Sequence, residues 1–259
     1  MATNKELLEK LEEELQSFSK NPDKMYRRWK TARNQFYNYS LRNLLIANMQ
    51  LNEMKNTEVE QLASYNKWKK IGRQVRKGEK GLKILAPILV SNDVDGAEDE
   101  LVGFRQTTVF DIKQTEGQEL FYGEDDITGE ATITLQEAIE YSILPVKIDL
   151  NTEMKKGETN YKEIRLCENI TDEDNLCVLF HELAHNVLQH NTRELTSSLK
   201  EMEAESVSYI VAKHFGIDNK GSIRYIHNWN KEGIEEFDLT SANMIMKASN
   251  QIVSMMEGE

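Results

Sequence analysis

The sequence is poor in cysteine and proline and has no long apolar run. Its 259 residues include three prolines and two cysteines, Cys167 and Cys177. Two cysteines are too few for a disulfide framework, and their spacing matches no cysteine zinc site. No apolar stretch approaches the roughly 20 residues that a transmembrane helix requires. The first residues also lack the apolar core of a signal peptide, so we predict a cytoplasmic protein without membrane contact.

Charge is distributed unevenly along the chain. Lysine and arginine total 32 against 44 aspartate and glutamate residues, for a net charge of −12. Residues 20–90 nevertheless carry 16 basic and 5 acidic side chains, whereas residues 91–259 carry 14 basic and 34 acidic ones. A basic region joined to an acidic one predicts a polyanionic partner for the first part of the chain.

Residues 181–185 read His-Glu-Leu-Ala-His, a His-Glu-x-x-His motif. Residues four apart lie on one face of an α-helix, so the imidazoles of His181 and His185 can reach one metal ion. Glu182 can then accept the proton of a water at that ion, as in zinc metallopeptidases. The surrounding pattern favours a helix, because Thr171 is placed to cap a segment with an apolar stripe.

A catalytic zinc needs a third protein ligand. Metzincins take it from an extended motif with a glycine and a third histidine, but Leu188 and Asn191 occupy those positions and exclude that class. Glu201 and Glu205 remain, one helical turn apart on the next predicted helix. We predict that Glu201 binds the zinc and that Glu205 holds a ligand histidine by its second nitrogen. The reverse assignment stays open.

Four other polar residues near the motif have less defined roles. We expect His190 to be a polar residue at a helix end and Glu203 to face away from the metal into solvent. His214 and Tyr209 are candidates for stabilising an oxyanion, on proximity in sequence alone.

The spacing of apolar residues predicts an α+β protein. Beside the motif helix, helices are predicted over 6–18, 24–33, 41–50, 60–71, 135–141, 194–215 and 240–256, and strands over 82–90, 101–112, 146–150 and 161–167. Residues 155–160 read as a turn, and the acidic, glycine-containing stretch 116–130 reads as a linker. We therefore predict a first domain of residues 1–122 and a second of residues 123–259.

Residues 24–83 combine basic and aromatic side chains, the two components of a site for single-stranded nucleic acid. In such sites the bases stack on aromatic rings while cations contact the phosphates. The residues that this pattern predicts to contact DNA are Arg27, Arg28, Arg33, Tyr39, Trp68, Arg73, Arg76, Lys77 and Lys80. Aromatic residues at helical spacing also form protein cores, so burial of Trp68 remains the alternative.

Short motifs along the chain match known families. They are Tyr39-Ser40-x-x-Asn43, Trp68-x-x-Ile71-Gly72-Arg73-x-Val75-x-Lys77-Gly78-Glu79-Lys80-Gly81, Ile84-Leu85-Ala86-Pro87, and Val109-Phe110-Asp111 with Gln114-Thr115. Together they resemble the N-terminal domain of ArdC-type antirestriction proteins. The second part is similar to the zincin domain of that family and, more distantly, to ImmA/IrrE metallopeptidases, whose Glu-x-x-Ala-x-x-Val-Ser pattern recurs from Glu201 to Ser208.

The resemblance implies a protein of mobile elements whose first domain binds single-stranded DNA, with Asn43 among its contacts. The second domain would be a gluzincin-like metallopeptidase that binds one Zn²⁺ through His181, His185 and Glu201 and uses Glu182 as general base on a peptide substrate. The implied role is antirestriction, the protection of incoming DNA, for example during conjugation. Two alternatives stay open: a regulatory metallopeptidase that cleaves a repressor, and a DNA-binding module whose zinc site is catalytically silent.

Overall fold

The structure, a computed structural model, describes residues 13–18, 21–33, 39–90, 100–117, 131–150, 156–217 and 237–258. The chain forms two compact units. The middle unit spans Lys30–Gly123, and the terminal unit combines Met1–Trp29 with Glu124–Glu259. The segment before Lys30 thus belongs with the C-terminal part of the chain, whereas the sequence predicted it within a first domain of residues 1–122.

The fold is of the predicted α+β class. Among the described residues, the helices are α1 (Pro22–Arg33), α2 (Leu41–Lys55), α3 (Tyr65–Lys70), α4 (Leu135–Tyr141), α5 (Asp172–Val187), α6 (Ser197–His214) and α7 (Leu239–Met256), and residues 13–18 are also helical. Its strands are β1 (Leu62–Ala63), β2 (Arg73–Val75), β3 (Leu82–Val90), β4 (Glu100–Asp111), β5 (Thr115–Gly117), β6 (Val146–Leu150), β7 (Gly157–Thr159) and β8 (Ile164–Cys167). None of the helices in the described ranges is long and apolar enough to cross a membrane. The first half of the predicted helix at 6–18 and most of the predicted linker at 116–130 lie outside the described residues.

The main sheet of the middle unit is antiparallel, with the strand order β1-β4-β3. β3 and β4 pair from Leu82 opposite Val109 to Val90 opposite Glu100. One face of this hairpin is covered by α2. The buried side chains of that core are Leu44, Ala47, Leu51, Val59, Leu62, Leu82, Ile84 and Val109.

Two side-chain amides of α2 pair with the outer edge of β3. The Asn43 amide donates to the Leu85 carbonyl at 2.7 Å and accepts from the Leu85 N–H at 2.9 Å. Gln50 makes the same two hydrogen bonds with Lys83, at 2.8 and 2.9 Å. Residues two apart in a strand point their backbone groups to the same edge, so the two amides replace part of a neighbouring strand.

The helix predicted over 60–71 is wrong in its first half. Leu62–Ala63 instead pairs with the end of β4. The buried Asp111 carboxylate accepts the N–H groups of Glu60 and Gln61 at 2.8 and 2.9 Å and holds this segment beside β4. The helix α3 therefore begins only at Tyr65.

In the terminal unit, α5 packs against α6 and α7 and against the small sheet β6-β8-β7. β6 runs parallel to β8, and β7 runs antiparallel to it. Residues 157–159, predicted as part of a turn, form β7. Gly157 permits the close approach of β7 to α5, because a Cβ atom there would collide with Val178 and lie 3.6 Å from Oε1 of Glu182. An edge strand thus lies directly beside the motif helix.

Contacts within the terminal unit explain why α1 belongs to it as far as Trp29. Trp29 is buried, and its ring lies edge-on to His214 at 5.4 Å between ring centroids. Asp23 accepts a hydrogen bond of 2.8 Å from the Tyr209 hydroxyl and forms an ion pair with Lys213. Since these partners lie on α6, they tie the first half of α1 to the helix that also carries Glu201 and Glu205.

Candidate functional site

The helix α5 fixes the direction of the two motif histidines. It starts after Thr171, whose hydroxyl accepts the N–H of Asp174 at 3.1 Å, which confirms the predicted N-cap. Its buried apolar side chains are Leu176, Leu179, Phe180 and Leu183. Because that side is anchored in the core, His181 and His185 are directed towards α6.

His181, His185 and Glu201 present their ligand atoms to a common point. The two Nε2 atoms lie 3.0 Å apart, and the Glu201 carboxylate oxygens lie 3.3 Å from His181 Nε2 and 3.5 Å from His185 Nε2. A tetrahedral zinc with bonds of 2.0–2.1 Å places its ligand atoms about 3.3 Å apart. The donor set and its spacing therefore fit such an ion. Among the described residues, this is the one group of three acidic, histidine or cysteine side chains that can hold a metal.

Glu205 contacts the rear of one imidazole. Its carboxylate lies 2.9 Å from Nδ1 of His181, so the Nδ1–H donates to it and Nε2 faces Glu201. Burial disfavours a charged His181, but its hydrogen bonds to Glu201 and Glu205 outweigh burial and raise its pKa to about 10. The surrounding carboxylates thus favour positive charge at this position, and they would favour a bound divalent cation for the same reason.

His190 contacts the rear of the other imidazole. Its Nδ1 atom lies 2.8 Å from Nδ1 of His185, and its Nε2 atom lies 2.9 Å from the Glu203 carboxylate. With Nε2 of His185 directed to the metal point, its Nδ1–H donates to His190, whose Nε2–H donates to Glu203. The sequence-based interpretation of His190 as an ordinary helix-end residue is therefore wrong.

Glu203 completes this chain of contacts. Its side chain is fully buried, and Arg193 binds it through two hydrogen bonds of 2.6 and 3.0 Å. Burial opposes ionisation of Glu203, but the hydrogen bonds from His190 and Arg193 outweigh it and lower its pKa. The expectation that Glu203 faces solvent is wrong, because α6 is buried on the side opposite the metal point as well.

Glu182 and Tyr161 lie in the same electrostatic environment. Burial raises the pKa of Glu182, and the opposing effect of the nearby His181 and His185 is smaller, so the net shift is upward. Burial also raises the pKa of Tyr161, and the carboxylates of Glu182 and Glu201 raise it further. Tyr161 therefore keeps its phenolic proton. The sequence pattern predicts Tyr161 as the first residue of a strand and gives no sign of this position, because the residue has a positive φ of 65° in the turn before β8.

Tyr209 and His214, the candidates for stabilising an oxyanion, have other partners. The Tyr209 hydroxyl donates to Asp23, and Nε2 of His214 lies 2.9 Å from a carboxylate oxygen of Glu257. We therefore withdraw both as candidates for that role.

Four of the predicted DNA contacts have structural roles instead. Trp68 is fully buried and donates its Nε1–H to the Phe110 carbonyl at 2.9 Å. Arg28 is also buried, with its guanidinium 3.6 Å from Glu14. Tyr39 packs on the core of the middle unit, and Asn43 uses its amide on β3. The alternative of a core role for Trp68 is thus the one that the structure supports.

Two more predicted contacts hold β2 to β5. Arg73 donates from Nε to Thr115 Oγ1 at 2.8 Å. Arg76 donates to the Thr115 carbonyl at 3.1 Å and to Glu79 at 3.3 Å, while much of its side chain stays exposed. The remaining residues of the predicted set are accessible: Arg27, Lys77 and Lys80 are exposed, and Arg33 is partly exposed.

Comparisons with known proteins agree with this architecture. Residues 3–119 match the family model of the N-terminal domain of anti-restriction factor ArdC. The chain is 26% identical to an uncharacterized protein of Bacillus anthracis over 96% of its own length, and it spans about half the length of that relative. Crystal structures of the antirestriction ArdC protein from plasmid R388 share the fold at 18% identity with a TM-score of 0.53 for a metal-free form, and at 16% with 0.52 for a Mn(II)-bound form. These alignments cover 85% of this chain and 86% and 84% of the two R388 chains.

The fold and the site therefore define an α+β protein with a His-Glu-x-x-His metal-site geometry. Together with the match over residues 3–119, they make the chain similar to ArdC-type antirestriction proteins in its N-terminal sequence and in its fold.

Proposed function

We propose that this protein is an antirestriction factor that binds single-stranded DNA with its middle unit and a divalent metal ion with its terminal unit. The observation that carries the metal site is the convergence of His181, His185 and Glu201, with donor atoms 3.0–3.5 Å apart. Two imidazoles and one carboxylate form the donor set of catalytic zinc in gluzincins, so we propose one Zn²⁺ per chain. The Mn(II)-bound structure of the R388 protein supports a divalent ion.

We propose peptide-bond hydrolysis as the chemistry of this site. His181 and His185 would bind the ion through Nε2 and Glu201 through its carboxylate. When bound, the ion supplies Lewis acidity, which lowers the pKa of water and polarises a carbonyl group. Glu182, with its raised pKa, would take the proton of the attacking water and return it to the leaving amine. Tyr161 would donate its phenolic proton in a hydrogen bond to the oxygen that gains charge.

Transfer of an unmodified plasmid into a restricting host tests the function directly. The parent protein should raise the yield of transferred plasmid, and His181→Ala should remove the metal, measured by elemental analysis of the purified protein. If the parent holds no stoichiometric metal, the proposed site is rejected. If Glu182→Gln protects as well as the parent, proteolysis is not needed and the DNA-binding module with a silent site is the better description. Cleavage of a repressor without affinity for DNA would favour the ImmA/IrrE-type alternative.

A further inference from the structure

One face of the β3-β4 hairpin keeps large apolar side chains in solvent. Phe104 is 57% exposed, and Val102, at the irregularity in the pairing of β3 with β4, is 54% exposed. Alternate residues of a strand share a face, so Thr108 and Phe110 lie on this face too. The opposite face carries Val109 in the core beneath α2. An exposed apolar patch of this kind on a protein surface often marks a binding site.

The aromatic surface continues onto α3. Tyr65 is 48% exposed, and its ring lies edge-on to Phe110 with 6.5 Å between centroids and 67° between planes. Gly81 lies beside these residues, where a Cβ atom would be 3.0 Å from the Phe110 ring and would collide with Thr108. Glycine thus leaves the Phe110 ring and the Thr108 side chain uncrowded. From Phe104 to Phe110 the face is about 20 Å long, at 3.3–3.4 Å per residue.

Cations accompany the rings. Lys83 is exposed and stands opposite Thr108 in the register, with its Nζ donating to Thr108 Oγ1 at 2.6 Å. Lys80 is exposed at the entry to β3. Residues 82–90 and 101–110 contain no acidic residue, and the helix that carries Tyr65 ends in three lysines, Lys67, Lys69 and Lys70. Rings flanked by positive charge, with no acidic residue between the two ends of β4 or anywhere in β3, suit unpaired bases and their phosphates.

We propose that single-stranded DNA binds across this ring face, defined by Tyr65, Lys83, Phe104, Thr108 and Phe110, with bases stacked on Phe104 and Tyr65. This inference rests on the proposed function, since it names the surface through which the middle unit would hold DNA. A duplex gains little from these rings, because its bases are already stacked on one another. The surface, with its flanking cations, shares Lys80 with the set predicted from sequence but not Trp68 and Arg28, both of which are buried.

Titration of fluorescein-labelled oligothymidine with the full chain at two salt concentrations tests the ring face. We expect Phe104→Ala and Tyr65→Ala each to weaken binding by about 5- to 100-fold with an unchanged salt dependence, since stacking is not ionic. Lys83→Gln should instead reduce the slope of log K against log salt by about 0.7, the value for one phosphate contact to a single strand. Tyr141→Ala and Lys247→Gln, which alter exposed residues of the terminal unit, should bind like the parent.

The outcomes separate this inference from the proposed function. If the parent does not bind the oligonucleotide, DNA binding itself fails. If the parent binds and both ring variants match Tyr141→Ala, the ring face is wrong while DNA binding stands. Photocrosslinking of an oligonucleotide with 5-iodouracil gives an independent readout that needs no variant. Crosslinked peptides should contain Tyr65 or Phe104, and crosslinks found solely at other peptides would overturn the assignment.

Discussion

The Nδ1 atom of His190 lies 2.8 Å from the Nδ1 atom of His185. Through this contact, a buried chain of His190, Glu203 and Arg193 supports one metal-site histidine from behind. Burial lowers the pKa of His190, which keeps it neutral and able to accept at Nδ1 while donating at Nε2. Glu205 supports the other histidine in the same way. Both imidazoles are therefore oriented before any ligand arrives.

The His190 contact predicts an effect on metal affinity. His190→Leu removes the acceptor for the Nδ1–H of His185, and we expect metal binding to weaken by about 10- to 100-fold, as for other groups that orient a ligand histidine. Isothermal titration with Zn²⁺ measures this. His214→Gln is the control, since His214 is a partly buried histidine bound to Glu257. Equal affinity of His190→Leu and the control would show that the contact does not orient His185.

The two glutamates of α6 should differ in their effects. For Glu205→Gln we expect a loss of metal affinity of about 10- to 100-fold. Glu201→Gln weakens a direct ligand, so its loss of metal affinity should be larger. The same titration, with both variants checked for helix content, gives the ranking. A larger loss for Glu205→Gln would reverse the assignment that the sequence left open.

Trp68 should matter for folding and not for DNA. Trp68→Phe removes the Nε1–H that the Phe110 carbonyl accepts, and we expect a loss of about 1–3 kcal/mol in the free energy of unfolding. Chemical denaturation measures the loss, and oligothymidine binding of the folded variant should equal that of the parent. A DNA defect without a stability defect would restore the sequence-based interpretation of this residue.

The ion pair between Asp23 and Lys213 predicts a dependence of stability on pH. Hydrogen bonds from Lys213 and Tyr209 lower the pKa of Asp23 below its ordinary value of 3.8. A carboxylate with a lowered folded-state pKa stabilises the fold above its unfolded pKa, and this stabilisation is lost as the pH falls through the folded value. The parent should therefore be more stable than Asp23→Asn at pH 7, and the difference should shrink at pH 3.

Denaturation of Asp23→Asn at both pH values gives the comparison, with Glu168→Gln as a control for removing an exposed carboxylate. A gap between Asp23→Asn and the parent that stays constant from pH 7 to pH 3 would contradict the predicted linkage.

Local signals predicted the elements that carry the metal site. The capping threonine and the apolar stripe of α5 are strong signals because they depend only on residues close together in the sequence. The four-residue spacing of the histidines places both on one face of the helix. Glu203 shows where such reasoning stops. It lies opposite Glu201 on α6, but α6 is packed on several sides, so the face away from the metal point is buried as well. Its role is revealed by its partners His190 and Arg193, which lie in the segment between α5 and α6.

Tertiary contacts also explain the errors in the middle unit. Residues 60–63 have a helical pattern, yet the carboxylate of Asp111, about 50 residues later, binds their backbone and favours strand pairing. The basic and aromatic composition of residues 24–83 indicated a class of ligand but not a surface. Composition does not tell a buried Trp68 from an exposed Tyr65, because this difference depends on how α3 packs against β4.

The amides of Asn43 and Gln50 have a consequence for the behaviour of the protein in solution. The outer strand of an open sheet can recruit a strand from another molecule, which begins domain swapping or fibril growth. Here the two amides already satisfy the backbone groups of Lys83 and Leu85 at that edge. The middle unit can therefore expose an aromatic sheet face to solvent, because the outer edge of β3 at Lys83 and Leu85 has no free backbone groups there to pair with a strand of another molecule.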